Sequence, residues 1–258
     1  MRVLPKLTAI LILLLSLECA ARRPKECRNP DYAEIMRKQA ASHFQRGDHY
    51  SALEAGLKSY ACNPKDPETN YWLGRIYWSR KQFPKAVDYL QNAIKLRKDY
   101  PEANMALGLV YLELKRWDEA ILQFDLVAQH ELYREPEAAY NNLGWAYLMK
   151  GEREKAGAAF QNALRINPNY CPAYCNLGEV EAQKGLSANA IKNYRRAIEC
   201  QPNYGRSHLL LGLELQKQKD VAGACREFAA TIQHWPDTVE AGRAAEYSQL
   251  MNCPAPRR

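Results

Sequence analysis

Eight cysteines and five histidines are the residues with the most chemical reach in this 258-residue chain. Cys171 and Cys175 stand four apart at the start of a helical stretch, so both thiols could point the same way toward a soft metal ion. A closed tetrahedral site takes four such ligands, and no second pair has comparable spacing. The histidines (His43, His49, His130, His208 and His234) show no metal-binding spacing either. No glycine-rich phosphate loop, nucleophile elbow or paired-carboxylate constellation is present. The expectation is a chain with no metal, no cofactor and no catalysis, and so not an enzyme. A redox or metal protein built around Cys171 and Cys175 stands as the reading from a different class.

Composition narrows the partners. Hydrophobic residues make up 47% and charged residues 25%, a globular balance. The net charge is +7, but Lys and Arg are interleaved with Asp and Glu along the chain. Nucleic-acid binders concentrate positive charge on one face or in one run, so no nucleic acid is expected.

The N-terminus has the order of an export signal: Arg2 and Lys6, then an apolar stretch from Leu7 to Leu17, then small residues. That stretch is too short to span a bilayer, which takes about 20 residues as a helix. Cleavage before Cys19 would make residues 1–18 a lipoprotein-type signal peptide and Cys19 the lipid-bearing first residue. The alternative is an ordinary cut after Ala21. Glu18 departs from the small residues a lipobox has before its cysteine, whereas Cys19 sits where the apolar run stops. With Ala20 rather than Asp after it, a lipidated Cys19 is expected at the outer membrane.

The elements that must carry these residues emerge from self-comparison. Leu73-Gly74, Tyr77, Ala86, Leu90 and Ala93 align with Leu143-Gly144, Tyr147, Ala156, Phe160 and Ala163. Leu107-Gly108, Leu177-Gly178 and Leu211-Gly212 open copies in the same frame, and a degraded copy holds Phe44, Gly47 and Ala52. The copies are spaced by 34 residues, except the third, which carries two extra near "HELYRE". Each contains two amphipathic helical stretches around a short polar break. In spacing and motif the chain resembles the tetratricopeptide repeat family. The resemblance implies a right-handed α-solenoid, all-α, of six helix pairs (33–66, 67–100, 101–136, 137–170, 171–204 and 205–238). A linker over 19–32, a capping helix over 239–252 and a tail over 253–258 complete the expected organisation. A glycine inside the first helix of every copy but the first, which has Ala40 there, costs up to ~1 kcal/mol relative to alanine. Close helix approach would compensate, with Ala86, Ala120, Ala156, Ala190 and Ala224 as the expected small facing partners.

In that family the ligand-facing surface is lined by the first helices, two before the Leu, one after the Gly and four after it. The corresponding residues are Tyr71, Arg75 and Trp78; Met105, Leu109 and Leu112; and Asn141, Trp145 and Leu148. Leu209 and Leu213 occupy such positions in the sixth copy, where the capping helix is expected to cover them. Domains of this family that clamp a carboxylate use Lys, Arg and Asn at these places, and only Arg75 and Asn141 fit. An apolar helix or strand of a partner suits the aromatic and aliphatic lining better.

In a stacked helix pair the start of the first helix lies near the end of the second, which suggests disulfide staples. Cys27 with Cys62 and Cys225 with Cys253 could be brought together. Cys200 could meet either Cys171 or Cys175.

An exported six-repeat chain of this kind resembles the type IV pilus pilotins, the PilF, PilW and Tgl group. The segment "NNLGWAYLMKGEREKAGAAFQNAL" is similar to that group's central repeat. The resemblance implies an outer-membrane lipoprotein on the periplasmic face that binds a secretin protomer and promotes secretin multimer assembly. A lipid-anchored or soluble periplasmic scaffold for cell-wall or polysaccharide machinery is the alternative.

Overall fold

The computed structural model describes residues 24–254. The signal peptide over 1–18, the cut after Ala21, the lipid attachment at Cys19 and the end of the tail lie outside them. Among the described residues the chain is all helical apart from its connections. After a 3-10 turn at Lys25–Arg28 come α1 (Tyr32–Gln45), α2 (His49–Cys62), α3 (Pro67–Ser79) and α4 (Phe83–Leu96). Then follow α5 (Pro101–Glu113), α6 (Trp117–Ala128), α7 (Pro136–Lys150), α8 (Arg153–Ile166) and α9 (Cys171–Gln183). The last are α10 (Ser187–Cys200), α11 (Gly205–Lys217), α12 (Val221–His234) and α13 (Val239–Leu250).

Local chemistry sets the helix limits. The Asp48, Asp66 and Asp220 carboxylates accept hydrogen bonds from the Ser51, Thr69 and Gly223 amides at 3.0, 3.0 and 2.8 Å, capping orphan donors at the starts of α2, α3 and α12. Prolines stand in the first turn of α3, α4, α7 and α9, where the missing N–H costs nothing. Each helix pair turns back through one left-handed residue: Gly47, Lys81, Lys115, Gly151, Gly185 and Lys219, with φ from 57° to 91°.

Two compact units divide the chain, one through Ala103 and one from Asn104. In the first, α1 packs on α2 and α3 on α4. Leu73, Ile76 and Leu90 are fully buried, and the Cys27–Cys62 disulfide, with Cα atoms 5.2 Å apart, ties the N-terminal turn to the end of α2. Ser59 donates to the Ala33 carbonyl at 2.7 Å and shares a 2.8 Å bond with Thr69, joining α1, α2 and α3 through buried hydroxyls.

In the second unit the pairs α7–α8, α9–α10 and α11–α12 pack in the same way. The side chains filling the space beside each first-helix glycine are not the alanines but large groups one turn further along. A Cβ on Gly108, Gly144, Gly178 or Gly212 would fall 2.5–2.7 Å from a ring carbon of Phe124, Phe160, Tyr194 or Phe228. Leu90 plays that part for Gly74 in the first unit. A ring wedged against bare backbone buries more apolar area than an alanine contact, which offsets the glycine's helix cost. Two further disulfides close this unit: Cys171–Cys200, with Cα atoms 5.6 Å apart, and Cys225–Cys253, at 5.5 Å. Helix α13 packs on α12 and α11, and Leu209 beneath is 1% exposed. Leu213 joins the same cluster with Tyr247 and Met251.

Candidate protein-binding surface

On α3 of the first unit, Tyr71, Arg75 and Trp78 follow one another at helical spacing, all half-buried. Arg75 does not reach outward. Its guanidinium lies 4.9, 5.0 and 5.5 Å from the ring centroids of Phe44, Trp72 and Tyr71, and it donates to the Tyr71 hydroxyl at 3.1 Å. A cation stacked on three rings is held by their quadrupoles. Tyr71 also packs against Trp72 and Tyr100, with ring centroids 5.3 Å apart in each case. Burial pushes the Tyr71 phenol up, against the opposing pull of Arg75. The phenol therefore stays neutral, and the surface is an aromatic platform on which the Arg75 cation is already engaged.

In the second unit, Met105, Leu109 and Leu112 on α5 and Trp145 on α7 are half-buried. Met105 packs beside Val127, Ala128 and Ala139, and its sulfur accepts from Asn142 Nδ2 at 3.4 Å. The remaining two positions are withdrawn. Leu148 is 4% exposed and belongs to the core with Phe160, Leu177 and Val180. Asn141 is 8% exposed, its carbonyl oxygen accepting from Asn176 Nδ2 at 2.8 Å. These two present little surface to a partner, because α9 stacks on α7 and takes up their side chains.

That stacking brings in residues the register rule had not singled out. Asn176 accepts in turn from Arg206 at 2.8 Å. Arg206 is ion-paired with Glu179 and stands 4.8 Å over the Trp145 ring centroid. Asn141, Asn176, Arg206, Glu179 and Trp145 thus form one connected polar and aromatic group across α7, α9 and α11. Glu179 occupies the position after Gly178, so extending the register to the fifth copy would have found it. Arg206 lies in the first turn of α11, outside the repeated pattern, and had no such signal. The pairing of Arg206 with Glu179 leaves no net charge beside Trp145, so the lining there is apolar with a neutralised polar rim.

The cysteines are spent elsewhere. Cys175 is a free thiol with no solvent exposure, and burial pushes its pKa up against Arg206 and Ser207, so it is held as an unreactive thiol. No group of three His, Cys, Asp or Glu able to hold a metal occurs among the described residues. No described helix is long and apolar enough to cross a membrane. A cavity of about 430 Å³ lies between α12 and α13, lined by Ala229, Ile232, Ala245 and Ser248 among others. None of the nine register residues borders it, and nothing that could do chemistry converges there.

Three segments, residues 71–131, 137–170 and 172–204, match family models described as tetratricopeptide repeat. Among solved structures, Pseudomonas aeruginosa PilF is similar with a TM-score of 0.71 at 18% identity, covering 84% of this chain and 98% of that one. PilW, described as a widely conserved type IV pilus biogenesis factor, gives a TM-score of 0.74 at 20% identity, covering 83% and 98%. Among curated proteins, the BBSome complex member BBS4 of Bos taurus is 32% identical over 143 residues, 55% of this chain and 27% of that protein. The chain spans 24–33% of the length of such curated relatives.

Proposed function

From a chain that is a tetratricopeptide repeat protein, we propose a pilotin: a non-enzymatic envelope scaffold that brings the type IV pilus secretin to the outer membrane and promotes its multimer assembly. The observation that carries this reading is the extent of the likeness to PilF and PilW. Each of those chains is covered over 98% of its length, so the repeats correspond from end to end rather than through one shared motif. Fold alone does not specify function, so the surface must also fit. The half-buried Met105, Leu109, Leu112 and Trp145 suit an apolar helix or strand of a secretin protomer, with Trp145 as an aromatic anchor. Tyr71, Trp78 and the Arg75 cage supply a second such lining on α3. The lipid on Cys19, outside the described residues, would hold the scaffold and its cargo at the membrane.

A deletion strain tests the proposal. Loss of heat-resistant secretin multimers and of surface pili, restored by the full-length gene, is the expected result. Normal multimers without the protein would move the function to another envelope assembly.

A further inference from the structure

The repeat register makes the outward faces of the second helices comparable one by one. Two and six residues after the repeated alanine of each second helix, α2 carries Glu54 and Lys58, ion-paired at 2.6 Å, and α10 carries Lys192 and Arg196. In α4, α8 and α12 the same positions hold only charged residues, asparagine or alanine. Helix α6 departs from all of them, with Leu122 and Leu126 at these places, 57% and 53% exposed. They lie one turn apart on one stripe. The connection that follows α6, residues 129–135, is three residues longer than its counterparts and holds Leu132, 85% exposed. Covering a leucine side chain is worth about 1.5–3 kcal/mol, so two exposed at register positions where the other repeats have none, with Leu132 on the connection that follows, mark a contact surface rather than scatter.

Charge says what covers it. Residues 113–137 contain seven carboxylates and three Lys or Arg, in a chain whose net charge is +7. Asp118 and Asp125 lie on α6, and Glu131 and Glu135 on the connection. Asp118 is paired with Lys150 at 2.7 Å. An anionic lipid surface has the wrong sign for this patch, and two copies meeting like for like would set carboxylates against carboxylates.

We propose that the outward face of α6, with the connection after it, docks a cationic amphipathic helix of a partner protein. The helix would lay its apolar stripe on Leu122, Leu126 and Leu132 and its Lys or Arg flank against the surrounding carboxylates. This surface is distinct from the first-helix lining at Leu109 and Trp145 and does not depend on the pilotin reading.

Fluorescence anisotropy with a dye-labelled amphipathic helical peptide of leucine and lysine tests it on the full chain. The expected result is saturable binding that weakens with salt and drops about tenfold or more in L122S/L126S, while L250S, at a leucine 76% exposed on α13, binds as the parent does. Serine at positions more than half exposed leaves the fold intact, which circular dichroism checks. E131K/E135K keeps every leucine and should lose the lysine peptide. Undiminished binding by L122S/L126S would overturn the proposal, as would equal binding of a peptide with glutamate in place of lysine. So would sedimentation showing a dimer of the parent chain that L122S/L126S dissolves, since the face would then belong to a second copy.

Discussion

The ring of Phe160 fills the space that a Cβ on Gly144 would take, its Cε1 2.7 Å from that position. Phe160 is fully buried and cannot swing aside. Gly144→Ala should therefore destabilise the protein by about 1–3 kcal/mol through overpacking, despite alanine's better helix propensity. Gly157, inside α8, is the control: a Cβ there meets Val180 only at 3.6 Å. Gly157→Ala should stabilise by about 0.5–1 kcal/mol. Urea unfolding of the two variants reads both signs.

His208 bridges α11 and α12, its Nδ1 2.7 Å from a Glu227 oxygen and its Nε2 3.1 Å from the Pro202 carbonyl. Burial disfavours the charged ring, but the bonds to Glu227 and Pro202 outweigh it, so its pKa is held above the ordinary 6.5. The contribution of the imidazolium is fully present below about pH 6.5 and is lost as pH rises through the elevated folded value. Melting temperature should fall over that window in the parent and fall less in His208→Gln. Equal pH profiles for the two would contradict the pairing.

Arg206 and Glu179 are both about three-quarters buried. Removing the cation alone leaves a largely covered carboxylate without its partner, so Arg206→Gln should cost about 1–3 kcal/mol. The double variant R206Q/E179Q should be less destabilised than the sum of its parts, which a double-mutant cycle measures. Additive losses would mean the two side chains act independently.

The Cys225–Cys253 bond fastens the end of α13 to the start of α12. Cys253→Ser should lower stability by about 2–4 kcal/mol and raise amide exchange first in α13. Cys175 should resist thiol reagents until the chain unfolds. Rapid labelling of the native protein at Cys175 would contradict its burial.

Much of the fold is legible in one dimension because a 34-residue period leaves few alternatives. The Leu-Gly frame, the paired amphipathic stretches and the prolines near positions 64, 168 and 202 all agree locally. What the frame cannot convey is what a neighbouring helix brings. Asn141 and Leu148 sit at ligand-facing register positions, yet Asn176, Leu177 and Val180 on α9 enclose them. Likewise the glycines read as meeting alanines, whereas the rings one turn on, Phe124 to Phe228, reach back to them. Which of two cysteines meets Cys200 was open because they lie a single turn apart. Cys171 stands level with the end of α10, and Cys175 is a turn deeper, against Tyr194 and Leu209. Arg206 is illegible for a different reason, since its counterparts are Glu34, Glu68, Glu102, Ala138 and Pro172 and no other copy has a cation there.

In the proposed pilotin, a secretin segment rests on the first-helix lining around Leu109 and Trp145. Photo-crosslinking in cells, with a photoreactive residue at position 109 or 145 and a control at Ala158 on the exposed side of α8, tests it most directly. Secretin adducts at 109 and 145 but not at 158 are predicted. Absence of secretin from all three, or equal yield at 158, would contradict the account.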